Sequence, residues 1–140
     1  MTKIVSILFV CTANSARSQM AEGFARAYAG GQIEIDSAGT HPTRVNPYAV
    51  EVMSEVGIDV SRQTSDSLDG KNLTRYQYLV TLCGDAEAAC PVLPPGVVAE
   101  HWGLPDPAAS VGEPAEIIAG FQAVRSQIER RVKELLGRIE

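Results

Sequence analysis

A cysteine and an arginine separated by five residues form the most informative pattern in the sequence. Five small or polar residues follow Cys11, and Arg17 and Ser18 come directly after them. A loop of this kind can turn successive backbone N–H groups inward and bind a tetrahedral oxyanion. We expect it to comprise the seven residues Thr12, Ala13, Asn14, Ser15, Ala16, Arg17 and Ser18.

The same pattern predicts a reactive thiol at Cys11. The Arg17 guanidinium and the N-terminus of a following helix add positive potential, which favours the thiolate form of a cysteine. Ser18 can donate its hydroxyl to that sulfur. A buried structural cysteine beside a chance arginine is the alternative interpretation.

Two further cysteines, Cys83 and Cys90, lie seven positions apart. Cys83 directly follows an apolar run, and parallel strands deliver their carboxyl ends to one edge of a sheet, where Cys11 also ends its run. We therefore expect the sulfurs of Cys11 and Cys83 to come close together. Two incidental cysteines are one alternative. A metal pair is another, but zinc pairs prefer shorter spacings and only His101 lies nearby.

Alternating strand and helix patterns position these residues. Four apolar runs predict strands, at Lys3–Val10, Ile33–Ser37, Tyr78–Leu82 and Val97–Trp102. Helical spacing predicts helices at Arg17–Tyr28, from Asn46 to Gly57 with Val50, Met53 and Val56 as the apolar face, and from Glu113 to the C-terminus. This alternation predicts one α/β domain over residues 1–140, with a central parallel four-stranded sheet flanked by helices.

Composition excludes several partners. The 140 residues carry a formal net charge of −5, which disfavours nucleic acid as a partner, and the basic residues of the last helix alternate with glutamates. The longest apolar run, Ile4–Cys11, is far shorter than the ~20 residues that cross a bilayer. We expect a cytoplasmic monomer, and in that reducing compartment thiols tend to be catalytic or redox-active.

Several segments carry a resemblance to a known family. They are Cys11–Gly23, Ser37-Ala38-Gly39, Asn46-Pro47, Thr64-Ser65-Asp66, Val80–Cys90, Pro91–Pro95, His101-Trp102-Gly103 and Asp106-Pro107-Ala108. Together they resemble the thioredoxin-coupled arsenate reductases of the low-molecular-weight protein tyrosine phosphatase superfamily. Tyrosine phosphatases of this fold usually place tyrosines after the Asp-Pro pair, where this chain has Ala108-Ala109. Many members have Gly at the position of Ala13, and several have Cys at the position of Ala16.

The resemblance implies reduction of arsenate to arsenite, with thioredoxin as the electron donor and no organic cofactor. It makes Cys11 the nucleophile and Arg17 the oxyanion clamp. Asp106 becomes the general acid, with Asp85 as its nearby rival. It also implies a relay through Cys83 and Cys90, with a Cys11–Cys83 disulfide that passes on to a Cys83–Cys90 disulfide.

A cation site is a further implication of the resemblance. Some members bind potassium through residues that correspond here to Asn14, Glu22, Ser37 and Asp66. Oxygen ligands suit a hard cation, although caps and turns use the same residue types.

Two other classes of function stay open at this point. The same loop can hydrolyse small phosphoesters through a phosphocysteine, which would make the protein a phosphatase. Three thiols can also sense an oxyanion or arsenite without catalysis. Such a sensor should carry a DNA-binding helix pair with a basic face, and the sequence contains no evident one.

Overall fold

The protein is described from a computed structural model, which covers residues 5–82, 96–109 and 111–139. The strands are β1 (Val5–Cys11), β2 (Ile33–Gly39), β3 (Tyr78–Thr81) and β4 (Val98–His101), and the helices are α1 (Arg17–Tyr28), α2 (Pro47–Ser54) and α3 (Pro114–Ile139). Three short 3₁₀ turns lie at Leu68–Gly70, Leu73–Arg75 and Pro107–Ala109. The single α/β domain expected from the sequence is confirmed.

The four strands form one parallel sheet in the order β2-β1-β3-β4. Cys11 is the last residue of β1 and lies opposite Gly39 of β2. Because β2 and β3 lie on opposite sides of β1, the chain reverses its winding direction there. In open α/β sheets ligands bind at the carboxyl ends of strands at such a switch point. The topology therefore places Cys11 where a ligand site is expected.

The two faces of the sheet are covered differently. Ile7, Phe9 and Cys11 point into a large core that α1, α2 and α3 share, with Phe24 of α1 and Phe121 of α3 fully buried. Leu8 and Val10 alternate to the other face, where Tyr76, Leu79 and the partly buried Leu68, Leu73 and Val97 cover them. Since each fully buried large apolar side chain contributes about 1.5–3 kcal/mol, the central strand is firmly fixed.

The helix ends agree well with the sequence, with one difference. Asn46, where the sequence predicts that this helix begins, caps α2, since its side chain accepts a hydrogen bond from the Tyr48 N–H. However, α2 ends at Ser54, and Val56 is 40% exposed instead of belonging to the apolar face. The chain turns at Gly57, which has a φ of +81°. Val56 therefore lies in a turn that carries it away from the core.

The strand bounds differ from the predicted ones by one or two residues. β1 includes Cys11, β2 runs on to Gly39, and β3 and β4 are each shorter than predicted. The hydrogen-bond pairing between neighbouring strands decides where each strand ends, and a single apolar run in the sequence does not reveal that pairing. The 3₁₀ turns between residues 68 and 75 carry no periodicity and were not predicted. In the part of the chain that the structure describes, no helix has the length and hydropathy needed to span a membrane.

Candidate active site

The loop between β1 and α1 directs its peptide carbonyls outward. Every carbonyl from Thr12 to Ala16 accepts a hydrogen bond from a residue beyond the loop. The donors are the His41 N–H on Thr12 (2.8 Å), the Thr43 N–H and the Ser65 hydroxyl on Ala13 (both 3.1 Å), the Gln19 side chain on Asn14 (2.9 Å), the Asn46 N–H on Ser15 (2.9 Å) and the Met20 N–H on Ala16 (2.9 Å). The C=O and N–H of a planar trans peptide point in opposite directions. The N–H groups of residues 13–17 consequently face the other way and form a cradle for an anion.

The N-terminus of α1 contributes to this cradle. Ala16 is the N-cap residue and makes no side-chain capping hydrogen bond, and the first turn holds no acidic residue. The first N–H groups of a helix have no intrahelical acceptor, and the helix dipole makes this end positive. An oxyanion placed above the loop would supply the missing cap.

Gly39 makes room for the loop. A Cβ atom at this position would lie 2.6 Å from the Thr12 carbonyl oxygen and 2.7 Å from the Asn14 nitrogen. Both distances are too short for any side chain. The end of β2 thus approaches the loop closely enough that only glycine fits there.

Asn14 orients the polar groups around the nucleophile. It is fully buried and is the one non-glycine residue with a positive φ, +46°, among the described residues. Its Oδ1 accepts a hydrogen bond from the Asp66 N–H at 2.8 Å, which fixes the orientation of the amide. Its Nδ2 then donates to the hydroxyls of Ser18 (2.7 Å) and Ser37 (2.9 Å).

The hydroxyl of Ser18 lies 2.9 Å from the sulfur of Cys11. Because Ser18 already accepts from Asn14, its own hydrogen is available to donate to that sulfur. Cys11 is only 2% exposed. A thiolate at this position would receive one hydroxyl hydrogen bond from Ser18 beneath a cradle of N–H groups.

Arg17 connects the loop with two other segments. Its guanidinium donates to the carbonyls of Leu82 at 3.2 Å and Leu104 at 3.1 Å, and it is 2% exposed. Leu82 immediately precedes Cys83, and its own N–H donates to the Val10 carbonyl at 2.8 Å. The structure therefore brings the chain leading to Cys83 next to Arg17.

Asp106 lies on the other side of Arg17. Its Oδ2 is 3.7 Å from the guanidinium, its Oδ1 accepts from the Ala108 N–H at 3.0 Å, and its side chain is 39% exposed. The carboxyl group is thus close to the loop and open to solvent. Among the catalytic candidates the structure brings together Cys11, Arg17 and Asp106. Cys83, Cys90 and Asp85 lie outside the described residues.

The residues named for potassium lie beside this loop. Ser37 donates to Glu22 and accepts from Asn14, and the other Glu22 oxygen accepts from Arg26 at 2.8 Å. Glu22, Ser37 and Asp66 line one open cleft of about 340 Å³, which Arg26 and Arg62 line as well. This donor set fits a hard cation, because it consists of carboxylate and hydroxyl oxygens. Asn14 turns its amide oxygen to Asp66, so it stands at the edge of that set.

Ala13 and Ala16, which differ from the pattern of many relatives, are both compatible with the loop. The left-handed backbone conformation falls on Asn14, a residue type that tolerates it, and Ala13 has a negative φ. Ala16 is 3% exposed and forms the helix cap position.

Sequence reasoning did not assign several residues that hold the loop. Gln19, Gly39 and Ser65 belong to segments of the resemblance but received no role, and His41 and Thr43 were not considered. No capping-box pattern marks Gln19, because the N-cap residue is Ala16 and not Ser or Thr. The others act through tertiary contacts that no local pattern reports.

Comparison with known proteins supports the resemblance. The model of the low molecular weight phosphotyrosine protein phosphatase family matches residues 6–140. An arsenate reductase of Bacillus subtilis (strain 168) is 52% identical over 128 residues, which is 91% of this chain and 92% of that protein.

Solved structures give the same result. A structure described as an arsenate reductase in the oxidized state has a TM-score of 0.85 at 37% identity and covers 98% of this chain and 100% of that one. The thioredoxin-dependent arsenate reductase of Corynebacterium glutamicum has a TM-score of 0.77 at 28% identity and covers 99% of this chain and 63% of that chain.

The parallel sheet, the Cys-x5-Arg loop and the family match together define the class of protein. This chain belongs to the low molecular weight phosphotyrosine protein phosphatase family. Within that family it is similar to proteins named arsenate reductase, which confirms the resemblance drawn from its motifs.

Proposed function

We propose that this protein reduces arsenate to arsenite through a relay of three thiols that begins at Cys11 and ends at thioredoxin. The main support for this proposal is the cradle of inward N–H groups at Cys11, whose sulfur lies 2.9 Å from the Ser18 hydroxyl. A tetrahedral oxyanion complements such a cradle. Arsenate and phosphate share this shape, and the names of the relatives favour arsenate.

The first step is nucleophilic substitution at arsenic. Arsenate binds to the loop N–H groups, and Arg17 clamps two of its oxygens. The Cys11 thiolate forms a bond to arsenic while one As–O bond breaks, and Asp106 transfers its proton to the departing hydroxide, which leaves as water. Arsenic stays pentavalent in this step. The position of Asp106, 3.7 Å from Arg17 and open to solvent, suits a group that must be reprotonated each cycle.

The second stage moves two electrons from sulfur to arsenic. The Cys83 thiolate attacks the Cys11 sulfur, the S–As bond breaks, and its electron pair stays on arsenic, which leaves as arsenite. The product is a Cys11–Cys83 disulfide. Cys90 then attacks Cys83, which releases the Cys11 thiolate and leaves a Cys83–Cys90 disulfide.

Thioredoxin supplies the two electrons that regenerate the thiols. A dithiol protein cannot enter a pocket in which Cys11 is 2% exposed, so the oxidation must be passed outward before reduction. The similarity to a thioredoxin-dependent arsenate reductase supports this choice of donor. The cycle needs no organic cofactor, and its free thiols require a reducing compartment, so we place the enzyme in the cytoplasm.

Potassium is proposed as a structural ion beside the loop. Glu22, Ser37 and Asp66 would hold it, with Asn14 at the edge of the site. Its charge would add to that of Arg26, which already pairs with the buried Glu22 carboxylate, and Glu22 reaches the loop through Ser37 and Asn14. Thermal unfolding at equal ionic strength tests this, because potassium but not lithium should raise the melting temperature.

Coupled oxidation of NADPH tests the proposed function. Reduced protein, thioredoxin, thioredoxin reductase and arsenate should consume NADPH over many turnovers, and omission of thioredoxin should stop it. The Cys83→Ser and Cys90→Ser variants should lose this turnover but still hydrolyse p-nitrophenyl phosphate. Hydrolysis without any arsenate-dependent NADPH oxidation would return the protein to the phosphatase class.

Thiol counting tests the order of the relay. Fully reduced protein without thioredoxin should reduce one arsenate and then stop, so the free thiols should fall from three to one. Peptide mapping should join the segments that hold Cys83 and Cys90 and leave Cys11 free. Full turnover by the Cys90→Ser variant with thioredoxin would show that the relay runs differently.

A further inference from the structure

One peptide of the oxyanion loop is held differently from its neighbours. The carbonyls of Thr12, Ala13, Ser15 and Ala16 all accept from backbone N–H groups. The Asn14 carbonyl instead accepts from the side chain of Gln19, at 2.9 Å. Asn14 is also the residue with the left-handed φ of +46°. The left-handed residue of the loop thus carries the one loop carbonyl, from Thr12 to Ala16, that accepts from a side chain and from no backbone N–H.

The orientation of Gln19 is fixed by its own partners. Its Nε2 donates to the carbonyls of Asn14 and Thr64, the latter at 2.8 Å, and its Oε1 accepts from Gln63 Nε2 at 2.8 Å. The side chain is fully buried. Each atom of the amide therefore has a matching partner, and rotation by 180° would set its oxygen against two carbonyl oxygens.

We propose that Gln19 is a positioning residue for oxyanion binding, which keeps the Ser15 N–H directed into the cradle. Gln19 holds the carbonyl of the Asn14–Ser15 peptide outward, and the rigid peptide plane then turns its N–H inward. Without this bond the Asn14–Ser15 peptide can rotate about the ψ angle of Asn14 and the φ angle of Ser15, which turns the Ser15 N–H away from the cradle. This inference rests on the proposed function only in that it takes the loop as an oxyanion site.

The test measures how well sulfate, a tetrahedral dianion, protects Cys11 from alkylation by iodoacetamide. Peptide mass spectrometry follows Cys11 separately from the other two cysteines. The Gln19→Leu variant removes both donated hydrogen bonds and keeps a similar volume. Its sulfate affinity should fall about tenfold or more, the usual effect of losing a hydrogen bond that organises a charged site.

The matched control is Gln63→Leu, which removes the other amide of the pair. Gln63 donates to Gln19 but does not touch the loop carbonyls, so Nε2 of Gln19 keeps its two acceptors. The carbonyls of Asn14 and Thr64 still exclude the flipped amide on their own, so sulfate affinity should change by no more than about twofold. Equal losses in the two variants would overturn the proposal, because the effect would then come from packing between α1 and the segment at residue 63.

Gln19→Glu provides a second test that does not depend on the leucine variant folding. An ionised carboxylate there would face two carbonyl oxygens, whereas a protonated one can donate to the Asn14 carbonyl. Relative to the wild type, sulfate protection should therefore improve as the pH falls from 8 to 5.5. The role of Gln19 would be overturned if the ratio of sulfate protection in Gln19→Glu to that in the wild type did not change with pH. Protection at the wild-type level in folded Gln19→Leu protein would overturn it as well, and neither result would bear on the proposed function. Failure of sulfate to protect wild-type Cys11 would instead remove the oxyanion site and the proposed function with it.

Discussion

The oxyanion loop at residues 12–18 contains Arg17, and the segment at residues 104–108 contacts the guanidinium of that arginine. The fold holds these two segments to different degrees. In the first segment every carbonyl from Thr12 to Ala16 has a donor, and the side chains of Asn14 and Ser18 are fully buried. In the second, Leu104 is anchored through its carbonyl to Arg17, but the Asp106 side chain is 39% exposed and makes only a 3.7 Å ion pair with it. The oxyanion cradle is therefore preorganised, while the proton donor keeps contact with solvent.

This difference has a chemical reason. A cradle acts by presenting fixed dipoles, so any freedom in the loop would cost binding energy when the anion arrives. A general acid must lose and regain a proton in every cycle, and exposure allows that exchange. Changes in the loop should therefore act on oxyanion binding, and changes at Asp106 on the rate of proton transfer.

The largest effect is expected from removal of the nucleophile. Cys11→Ser should abolish arsenate reduction and any phosphatase side activity together, because both begin with attack by the same sulfur. Coupled NADPH oxidation and p-nitrophenyl phosphate hydrolysis measure the two activities. Sulfate protection cannot be read in this variant, so calorimetric titration with sulfate should show that the cradle still binds. Residual reduction above background would contradict the assignment of Cys11.

Removal of the proton donor is expected to have the second-largest effect. Asp106→Asn keeps the size of the side chain but cannot donate the proton, so arsenate turnover should fall by ~10²–10⁴. Sulfate affinity should hardly change, since the loop is held without Asp106. The matched variant Asp85→Asn separates the two candidate acids. An unchanged rate in Asp106→Asn with a large loss in Asp85→Asn would assign the role to Asp85.

The hydroxyl beside the nucleophile should matter less than the acid. Ser18→Ala removes the group that lies 2.9 Å from the Cys11 sulfur. Loss of a hydrogen bond to a charged group costs about 1.5–3 kcal/mol, which corresponds to roughly a 10- to 100-fold slower alkylation of Cys11 near neutral pH. Ser37→Ala is the comparison, because Ser37 bonds the same Asn14 amide without touching the sulfur. Equal losses in both variants would indicate that Asn14, and not the sulfur, is what Ser18 serves.

A single methyl group at the end of β2 should disturb the loop to a smaller extent. In Gly39→Ala the new Cβ would lie 2.6 Å from the Thr12 carbonyl oxygen, so the loop must shift. We expect about a tenfold weaker sulfate affinity, and a loss of about 1–3 kcal/mol in unfolding free energy, as for other overpacked sites. Gly31→Ala is the control, because its Cβ would meet nothing within 4 Å. Wild-type affinity in folded Gly39→Ala protein would show that the loop is less rigid than described.

The parts of this site that could be predicted from the sequence are those that depend on residues close together in the chain. The Cys11–Ser18 spacing predicted the loop, and helical spacing predicted α1 with the bounds Arg17–Tyr28 that the structure shows. The residues that hold the loop were not predictable in this way. Ser65 reaches the Ala13 carbonyl across 52 positions of sequence, and Gly39 reveals its role only through a close approach in space. The prediction that Val56 belongs to the apolar face of α2 was wrong for a related reason, since the chain turns at Gly57 in spite of the helical spacing of Val56.

The smallest effect on activity is expected on the sheet face opposite the three helices. Burial, and then the hydrogen bond to the Asp36 carboxylate, raises the pKa of Tyr76 to about 12. Since tyrosine in the unfolded chain ionises near pH 10, Tyr76 stabilises the fold below that pH, and the contribution is lost as the pH rises from 10 to 12.

The Tyr76→Phe variant tests this contribution. The free energy of unfolding measured with urea should decline over this pH range, and the decline should be smaller in the variant by on the order of 2 kcal/mol. Arsenate turnover at neutral pH should stay within about twofold of the wild type, because burial of the ring is retained and the lost hydroxyl bonds Asp36 and not a loop residue. Tyr28→Phe is the control, since its hydroxyl donates to Glu129 at an exposed site where solvent screens the charge. A clearly larger loss of turnover in Tyr76→Phe would mean that the oxyanion loop depends on both faces of the sheet and not only on the hydrogen bonds around it.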